Sequence, residues 1–564
     1  MSALKPDVPS RERFLAMLCR NESARKIVDM IVWGALAAEI RLMILECAAL
    51  AHREQSEPRA RVGYATVCRE WRAFWEKETF RRIIVHQHRV HDLDSFVGRP
   101  DASRVDYVEH IWLRVELDEY GCDACQVLED GATLRRNDTT FSRALWTLLE
   151  VMSRWKRSDC RRDRELVLEI GAYSPSDSKH DFRDFRLEKH YPFLFQEDLE
   201  GGFSTYRQQE ERESEQNDAF HGWFYRMRMA QPAFASKKRL MGTKPLELGR
   251  EDKTRRWPRR WQRFPPVEIV TDLLFRRHFY RAVSVDVCSK LLNESLTRLA
   301  WFRHERWHDI EELHQLQFIA EYTTLLSAGL PDTLKQLFLL EDDNSILHLR
   351  KNPPGPDQAL SEALSRCSRK LEKLSAAHLV DARHFYADFW PAVDLTPNLG
   401  SRRDPWMHLK TLILTSVCLY SQNAPEWPNR LLMAAGTAAY LMPRLEILEL
   451  WMAGRSGACY FRYESDHKGR PKFTWRSNWE VDLVVAPEVL EVWRGVGRRM
   501  AGGELKIRIA PLKRPACWGE MRKAENYGDV LRHLGLRLFE DILHPVSAYQ
   551  LAYESQRGKR FSRC

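Results

Sequence analysis

A leucine-rich template, L-x-x-L-x-L, recurs through the second half of the chain at an almost constant step. Clear copies are Leu334-Lys-Gln-Leu337-Phe-Leu339, Leu409-Lys-Thr-Leu412-Ile-Leu414 and Leu445-Glu-Ile-Leu448-Glu-Leu450. Degenerate copies are Leu296-Thr-Arg-Leu299-Ala-Trp301 and Leu371-Glu-Lys-Leu374-Ser-Ala376. Their first positions, 296, 334, 371, 409 and 445, are 38, 37, 38 and 36 residues apart. This regularity constrains the fold more than any other feature. A unit too small to bury its own apolar face must stack on its neighbour. Helical patterns fill the intervals, over 284–296, 310–327, 357–366 and 429–442. Each unit is therefore expected to be one strand plus one helix.

Strand plus helix per repeat is the leucine-rich-repeat unit, here longer than the usual ~20–29 residues. Two earlier strands, Val108-Glu-His-Ile111-Trp-Leu113 and Leu166-Val-Leu168-Glu-Ile170, fit more loosely. A helix over 138–155 joins them, with Asp138 offered as its N-cap. The expected class is α/β: a leucine-rich-repeat-like solenoid over 104–564. Residues 174–263 form a long charged insertion, expected to be partly disordered. The tail from about 476 would cap the open end, using Val481–Val485 and Leu505–Ile509 as strands. The chain has 88 Lys and Arg against 79 Asp and Glu, a net charge of +9. Residues 236–263 alone hold eleven Lys and Arg and three acids, so the body is nearly neutral.

Ahead of the repeats, residues 1–30 read as a flexible leader and 31–90 as a small helical module. Leu36, Ile40, Met43, Ile44 and Cys47 lie on one helical face. A polar break over 53–61 holds Pro58, and a second helical pattern follows at Tyr64, Val67, Cys68, Trp71, Phe74 and Trp75. Phe80-Arg-Arg-Ile83-Ile84-Val85 reads as a short β-like tail. Leu36-Ala-Ala-Glu39-Ile40-Arg-Leu-Met-Ile44-Leu45 resembles the opening of an F-box, L-P-x-E-[IL]-x-x-x-[IL]-[FL]. Val67-Cys68-Arg69-Glu70-Trp71 resembles its V-[CS]-[KR]-x-W centre, and Phe80-Arg81-Arg82 its aromatic before basic residues. Ala37 departs from the pattern, where the family has Pro. The resemblance implies docking onto a Skp-type adaptor of a cullin ubiquitin ligase through Leu36, Ile40, Ile44, Leu45, Val67 and Trp71. The rest of the chain resembles uncharacterised filamentous-fungal proteins with an F-box-like start and a leucine-rich-repeat-like body. Val108–Leu113, Ala172-Tyr-Ser-Pro-Ser-Asp-Ser178 and Leu330-Pro-Asp-Thr-Leu334 before Phe338 carry that likeness. It implies substrate recruitment and no catalysis.

Composition excludes several classes. Hydrophobic residues are 44% and charged residues 30%, which is incompatible with wholesale disorder. The longest apolar run, Leu431–Met442, is too short to span a bilayer and holds Gly436 and Thr437, so no membrane partner is expected. Residues 1–20 carry charges throughout and lack a secretory apolar core. Twelve Cys without pairing rhythm fit a reduced, intracellular (cytoplasmic or nuclear) chain. No P-loop is present, Gly454-Arg-Ser456-Gly457 is no nucleophile elbow, and His308 and His314 around Glu311 and Glu312 lack the H-E-x-x-H spacing. A binding protein is expected, with neither catalytic residues nor a cofactor.

Three surfaces are candidates for binding. Inside the repeats the leucines point inward, so Trp112, Arg114, Phe338, Ile413, Glu449 and Trp451 fall on the opposite face. That face is either a partner groove for an unknown protein target or a surface hidden under the tail or the insertion. The run Arg255-Arg256-Trp257-Pro-Arg259-Arg260-Trp261 interleaves cations with indoles. With Lys237-Lys-Arg239 it suits a two-part import signal, a solvated loop or, least of all, nucleic acid. Cys122-Asp-Ala-Cys125 is a lone CxxC. Zinc needs four ligands, and Cys160, His86, His88 and His91 would serve only if folded nearby. We read the pair as ordinary loop thiols and assign no metal. Beside the receptor stands a second expectation, a repeat scaffold binding proteins without a ubiquitin ligase, which Ala37 favours.

Overall fold

The computed structural model describes residues 33–55, 63–98, 103–155, 165–183, 218–224, 227–249, 263–343, 346–348, 357–392, 404–419, 426–453, 458–465, 470–478, 483–512, 531, 534–536, 539–548 and 550–551. The leader (1–30), residues 184–217 of the insertion and the cation–indole run fall outside these residues. So do parts of the insertion and tail, including Val481.

The inward leucines do form the spine of the fold. One position per strand lines up across twelve strands: Ile83, Ile111, Leu168, Leu273, Phe302, Leu337, Leu374, Leu412, Leu448, Tyr463, Phe473 and Ile507. The strands are β1 (Arg82–Val85), β2 (His110–Glu116), β3 (Val167–Tyr173), β6 (Asp272–Phe275), β7 (Trp301–Trp307), β8 (Gln336–Asp342), β9 (Lys373–Ala377), β10 (Thr411–Thr415), β11 (Ile447–Ala453), β12 (Ala458–Ser465), β13 (Pro471–Ser477) and β14 (Lys506–Pro511). They join in chain order into one sheet, and a hairpin of β4 (Trp223–Phe224) and β5 (Met227–Arg228) stands apart. Pairing is parallel from β1 to β11, and only β12 runs antiparallel to both of its neighbours. The result is a mixed α/β architecture with a large, open, mostly parallel sheet.

The helices are α1 (Ala38–Gln55), α2 (Arg69–Phe80), α3 (Val90–Phe96), α4 (Gly131–Ser153), α5 (Phe234–Met241), α6 (Val285–Lys290), α7 (Glu312–Ala328), α8 (Gln358–Cys367), α9 (Ala382–Phe385), α10 (Glu426–Ala439), α11 (Pro487–Ala501) and α12 (Phe539–Ile542). Leu145 and Leu149 of α4, Phe318 of α7, Leu364 of α8, Met433 of α10 and Trp493 of α11 pack with the leucine ladder in one continuous core. Each such side chain contributes about 1.5–3 kcal/mol by leaving water.

Local chemistry sets the element ends. Asp357 caps α8 by accepting the Leu360 N–H at 2.8 Å. The first helix of the body begins earlier than expected: its cap is Asp130, which accepts the Thr133 N–H at 2.7 Å. Asp138 lies inside α4 and instead accepts the Glu247 N–H at 3.0 Å. The first repeat copy is also shifted. Phe302 pairs with Leu337, so the residue in register with Leu334 is Leu299, not Leu296. Leucines three apart at 296 and 299 fit the template in two registers, and both are buried. Residues 483–486 are not a strand. Lys506–Pro511 is one, and it ends the sheet.

The helical module is not separate from the sheet. Its β-like tail is β1, the first strand, and the Arg81 carbonyl accepts backbone N–H groups from Glu109 and His110. Part of the insertion is ordered against the body. The β4–β5 hairpin and helix α5 lie within it, and Lys237, Lys238 and Arg239 of α5 are buried.

Candidate functional site

Helices α1 and α2 carry Ile40, Ile44, Leu45 and Trp71 of the residues expected to dock an adaptor, and Leu36 and Val67 lie in the bends just before them. Arg41 of α1 donates to Glu70 of α2 at 3.0 Å, and the Trp33 indole donates to the same carboxylate at 2.8 Å. These two hydrogen bonds, Arg41 first, hold the Glu70 carboxyl below its ordinary range. Trp71 is half-buried between Trp33 and Tyr64, at ring separations of 5.5 and 6.1 Å, and Tyr64 stacks on buried Trp75. Leu45 and Ala49 are the inward contacts of α1. The predicted apolar face of α1 is turned outward: Ile40 is 45%, Met43 41% and Ile44 39% exposed, and Val67 before α2 is 60% exposed. Leu36 is half-buried. The structure thus turns Ile40, Ile44 and Val67 outward, keeps Leu36 and Trp71 partly accessible, and buries Leu45.

The strand face has the opposite fate. Trp112, Arg114, Phe338, Ile413, Glu449 and Trp451 are all buried, so of the two alternatives for this face, an open partner groove or a hidden surface, these positions show the hidden one. The chain itself covers them. Ile413, Trp451 and Leu340 pack with Leu531, Leu534, Leu536, Ile542, Leu543 and Leu551 from the tail. Polar groups fix this cover. Glu305 of β7 accepts the His544 N–H at 2.6 Å and the Ser547 hydroxyl at 2.5 Å, while Arg303 donates to the Glu540 carbonyl at 2.6 Å. Glu449 pairs across strands with Arg462 at 2.5 Å. At the other end Trp112 packs with Leu240 and Met241 of α5 and with Phe279, and the Arg114 guanidinium lies 4.5 Å from the Tyr173 ring. The basic patch Arg255, Arg256, Trp257, Arg259, Arg260 and Trp261 lies outside the described residues. Its proposed companion Lys237-Lys-Arg239 is no free import signal. Lys238 pairs with Asp309 and Glu311 at 3.3 and 3.2 Å, and Arg239 donates to the Val127 carbonyl at 2.9 Å.

The CxxC has neighbours that its spacing did not announce. His180 and His221 join Cys122 and Cys125, and the four donor atoms lie within 4.8 Å of one another. Cys122 Sγ is 3.5 Å from both His180 Nδ1 and His221 Nε2, and Cys125 Sγ is 3.3 Å from His221 Nε2. His86, His88 and His91 are not members, and Cys160 lies outside the described residues. The reading as ordinary loop thiols missed both rings, which stand 58 and 99 residues from Cys122. The turn after β3 delivers the first. Ser174 N–H donates to Asp177 at 2.9 Å, Ser174 Oγ to the Asp118 carbonyl at 2.7 Å, and Tyr120 N–H to Ser176 at 3.0 Å. This Ser-Pro-Ser-Asp segment locks the β2 and β3 loops together and sets His180 against the Tyr120 ring. His221 ends a single 3-10 turn capped by Asp218, whose carboxylate lies 2.5 Å from His221 Nδ1. Burial raises the Cys125 thiol to about 11, with Asp181 and Cys122 adding to it, and burial lowers His180. Burial opposes the charged form of Asp218, but the side-chain and backbone hydrogen bonds from His221, with the charges of His221 and Arg183, together hold it below its ordinary range.

A cleft of about 1220 Å³ borders Trp146, Phe264, Arg281 and Glu305. Two of its charges are engaged internally: Arg281 holds Glu129 at 2.8 Å, and Glu305 holds the tail. Among the described residues no helix is long and apolar enough to cross a membrane.

Residues 329–544 match DUF6546, a family of unknown function. The match takes in β8 to β14 together with α12 of the cover, and ends at residue 544, before Ser547 and Leu551 of the covering segment. No curated protein matches the chain.

Proposed function

We propose that the chain is an F-box-type substrate receptor, docking a Skp-type adaptor of a cullin ubiquitin ligase through α1 and α2. The supporting observation is the exposure of Ile40, Met43 and Ile44 on α1, which Arg41 ties to α2 through Glu70, with Val67 also exposed in the bend before α2. Exposed apolar side chains clustered on one element mark an interaction site. In this reading the sheet is a leucine-rich-repeat-like solenoid. It acts as a rigid holder, and catalysis belongs to the partner ligase, to which the receptor adds proximity. The protein target would be taken on a surface other than the strand face, because the tail and α5 occupy that face.

Co-purification of the full chain with a Skp-type adaptor tests this. The wild type is expected to retain the adaptor, and Ile40→Asp with Ile44→Asp to lose it while unfolding at the same denaturant concentration. If the wild type captures no adaptor, the reading fails. The second reading, a protein-binding scaffold without a ligase, is favoured by Ala37, and would recover other proteins and no adaptor in the same experiment.

A further inference from the structure

The geometry points to a zinc centre built from Cys122, Cys125, His180 and His221. Two thiolates and two imidazoles are the donor set of closed, four-coordinate structural zinc. The spacing fits that ion. Zn–S of ~2.3 Å and Zn–N of ~2.0–2.1 Å place neighbouring ligands of a tetrahedron roughly 3.3–3.8 Å apart. Three of the four S···N distances here are 3.3, 3.5 and 3.5 Å, and all the donor atoms lie within 4.8 Å of one another, so a bound ion would draw the wider pairs inward.

The outer partners point the same way. A metal-bound imidazole commonly gives its other N–H to a carboxylate or carbonyl, which fixes the tautomer. His221 turns Nε2 to the sulfurs and Nδ1 to the Asp218 carboxylate. His180 turns Nδ1 to Cys122 and holds Nε2 3.4 Å from the Tyr120 carbonyl. Both rings are therefore supported on the side away from the sulfurs. An inert core thiol needs no such arrangement. Cys288, by contrast, is buried in the main apolar core.

Four protein ligands leave no open coordination position, so the centre is structural rather than catalytic. Loading it releases the two S–H protons to solvent, with no change of oxidation state. Its ligands come from three separate stretches: the loop after β2, the turn after β3, and the 3-10 turn before β4. The ion would thus staple the β4–β5 hairpin to the sheet. Helix α5 has its own attachment through Glu129, which accepts Thr243 N–H at 3.0 Å and pairs with Arg281. Metal loss is therefore expected to free the hairpin and leave the sheet in place.

The test uses the purified full chain and zinc itself as the probe. After dialysis against metal-free buffer, about one zinc per chain is expected by elemental analysis. Cobalt loaded into the stripped protein should give thiolate charge-transfer bands and the d–d bands of a tetrahedral site. Cys125→Ser and His221→Ala should each lose the metal. Asp218→Asn keeps all four ligands and should weaken zinc affinity by about 10–100-fold. Because a ligand variant can misfold, the wild type is also digested with and without a chelator. New cleavage confined to residues 218–230 is expected on zinc removal. Zinc far below one per chain with no tetrahedral cobalt spectrum would overturn the assignment. So would a Cys122–Cys125 disulfide in freshly isolated protein.

Discussion

Helix α1 and strands β8 to β11 both carry large apolar side chains away from the main core, yet one surface is bare and the other covered. Ile44 stands 39% exposed, whereas Ile413 and Trp451 are fully buried. Residue type alone does not separate them, since both read as candidate docking surfaces. The difference lies in the C-terminal segment. Leu531 to Leu551 supply complementary apolar residues, together with Glu540, His544 and Ser547, which bond to Arg303 and Glu305. For α1, the described residues place only Leu45 and Ala49 inward. An apolar stripe is thus a partner site only once the chain's own later segments have been accounted for.

The largest expected effect comes from breaking the cover. Ile542→Asp with Leu543→Asp places two charges in a buried apolar layer, which should cost more than about 4 kcal/mol. Urea unfolding measures it. The same chemistry at Ile40 and Ile44 should shift stability by less than about 0.5 kcal/mol, because solvent already reaches those side chains. Equal losses at the two places would erase the distinction.

Acid probes the cover from another side. Burial, with Arg276, Arg303 and His110 nearby, lowers His544 well below its ordinary 6.5. Its neutral Nδ1 accepts the Val546 N–H at 3.3 Å. The unfolded chain therefore takes up this proton before the folded one. The contribution of this group is complete above pH ~6.5 and falls as pH drops below it, by up to about 1.4 kcal/mol per pH unit for one proton. His544→Gln should flatten that slope in urea midpoints between pH 7 and pH 5. An unchanged slope would show that the cover does not exclude the proton.

Much of the ladder was legible in the sequence, the cover was one of two alternatives left open for the strand face, and the gathering of His180 and His221 at the CxxC was not legible. A template at a step of 36–38 residues reports which side chains face the helices, because alternation along a strand is a local property. It located β8, β9, β10 and β11 correctly. It misplaced the copy before them, because Leu296 and Leu299 satisfy a three-residue spacing equally. Asp138 and Asp130 both suit a cap, and only the fold shows which N–H groups need one. His180 and His221 had no local signature at all. Their place beside Cys122 depends on the Ser174–Asp177 turn and on how the insertion returns to the sheet, and neither is encoded in spacing. The six strand-face residues were correctly placed opposite the leucines. The burial of Ile413 and Trp451 depends on a tail more than 80 residues beyond the last copy, and that of Trp112 on helix α5 of the insertion.

The N-terminal half of the strand face offers a subtler break. Gly171 of β3 faces Phe279, and a Cβ there would sit 2.3 Å from the Phe279 ring. That ring stacks on Tyr173 at 5.1 Å, nearly parallel. Gly171→Ala should therefore cost about 1–3 kcal/mol through overpacking, read in thermal unfolding. Adding Phe279→Leu should restore part of the loss, because a smaller side chain can yield. A neutral Gly171→Ala would mean that the ring does not lie tightly on β3.

The smallest expected effect belongs to the bare surface and concerns its one departure from the F-box pattern. Ala37 directly precedes α1, and its carbonyl accepts the Arg41 N–H at 3.1 Å. That bond uses the carbonyl, which proline keeps. Proline in a first turn fixes φ without removing an intrahelical hydrogen bond. Ala37→Pro should therefore leave stability within about 0.5 kcal/mol of the wild type, in contrast to any substitution under the cover. If α1 docks an adaptor, stiffening its entry lowers the ordering required on binding, and adaptor retention should rise. Calorimetric or pull-down titration of the two proteins reads the change. A variant that folds equally well but binds no better would separate the helix start from the docking stripe, and would leave Ile40 and Ile44 as the residues that carry the contact.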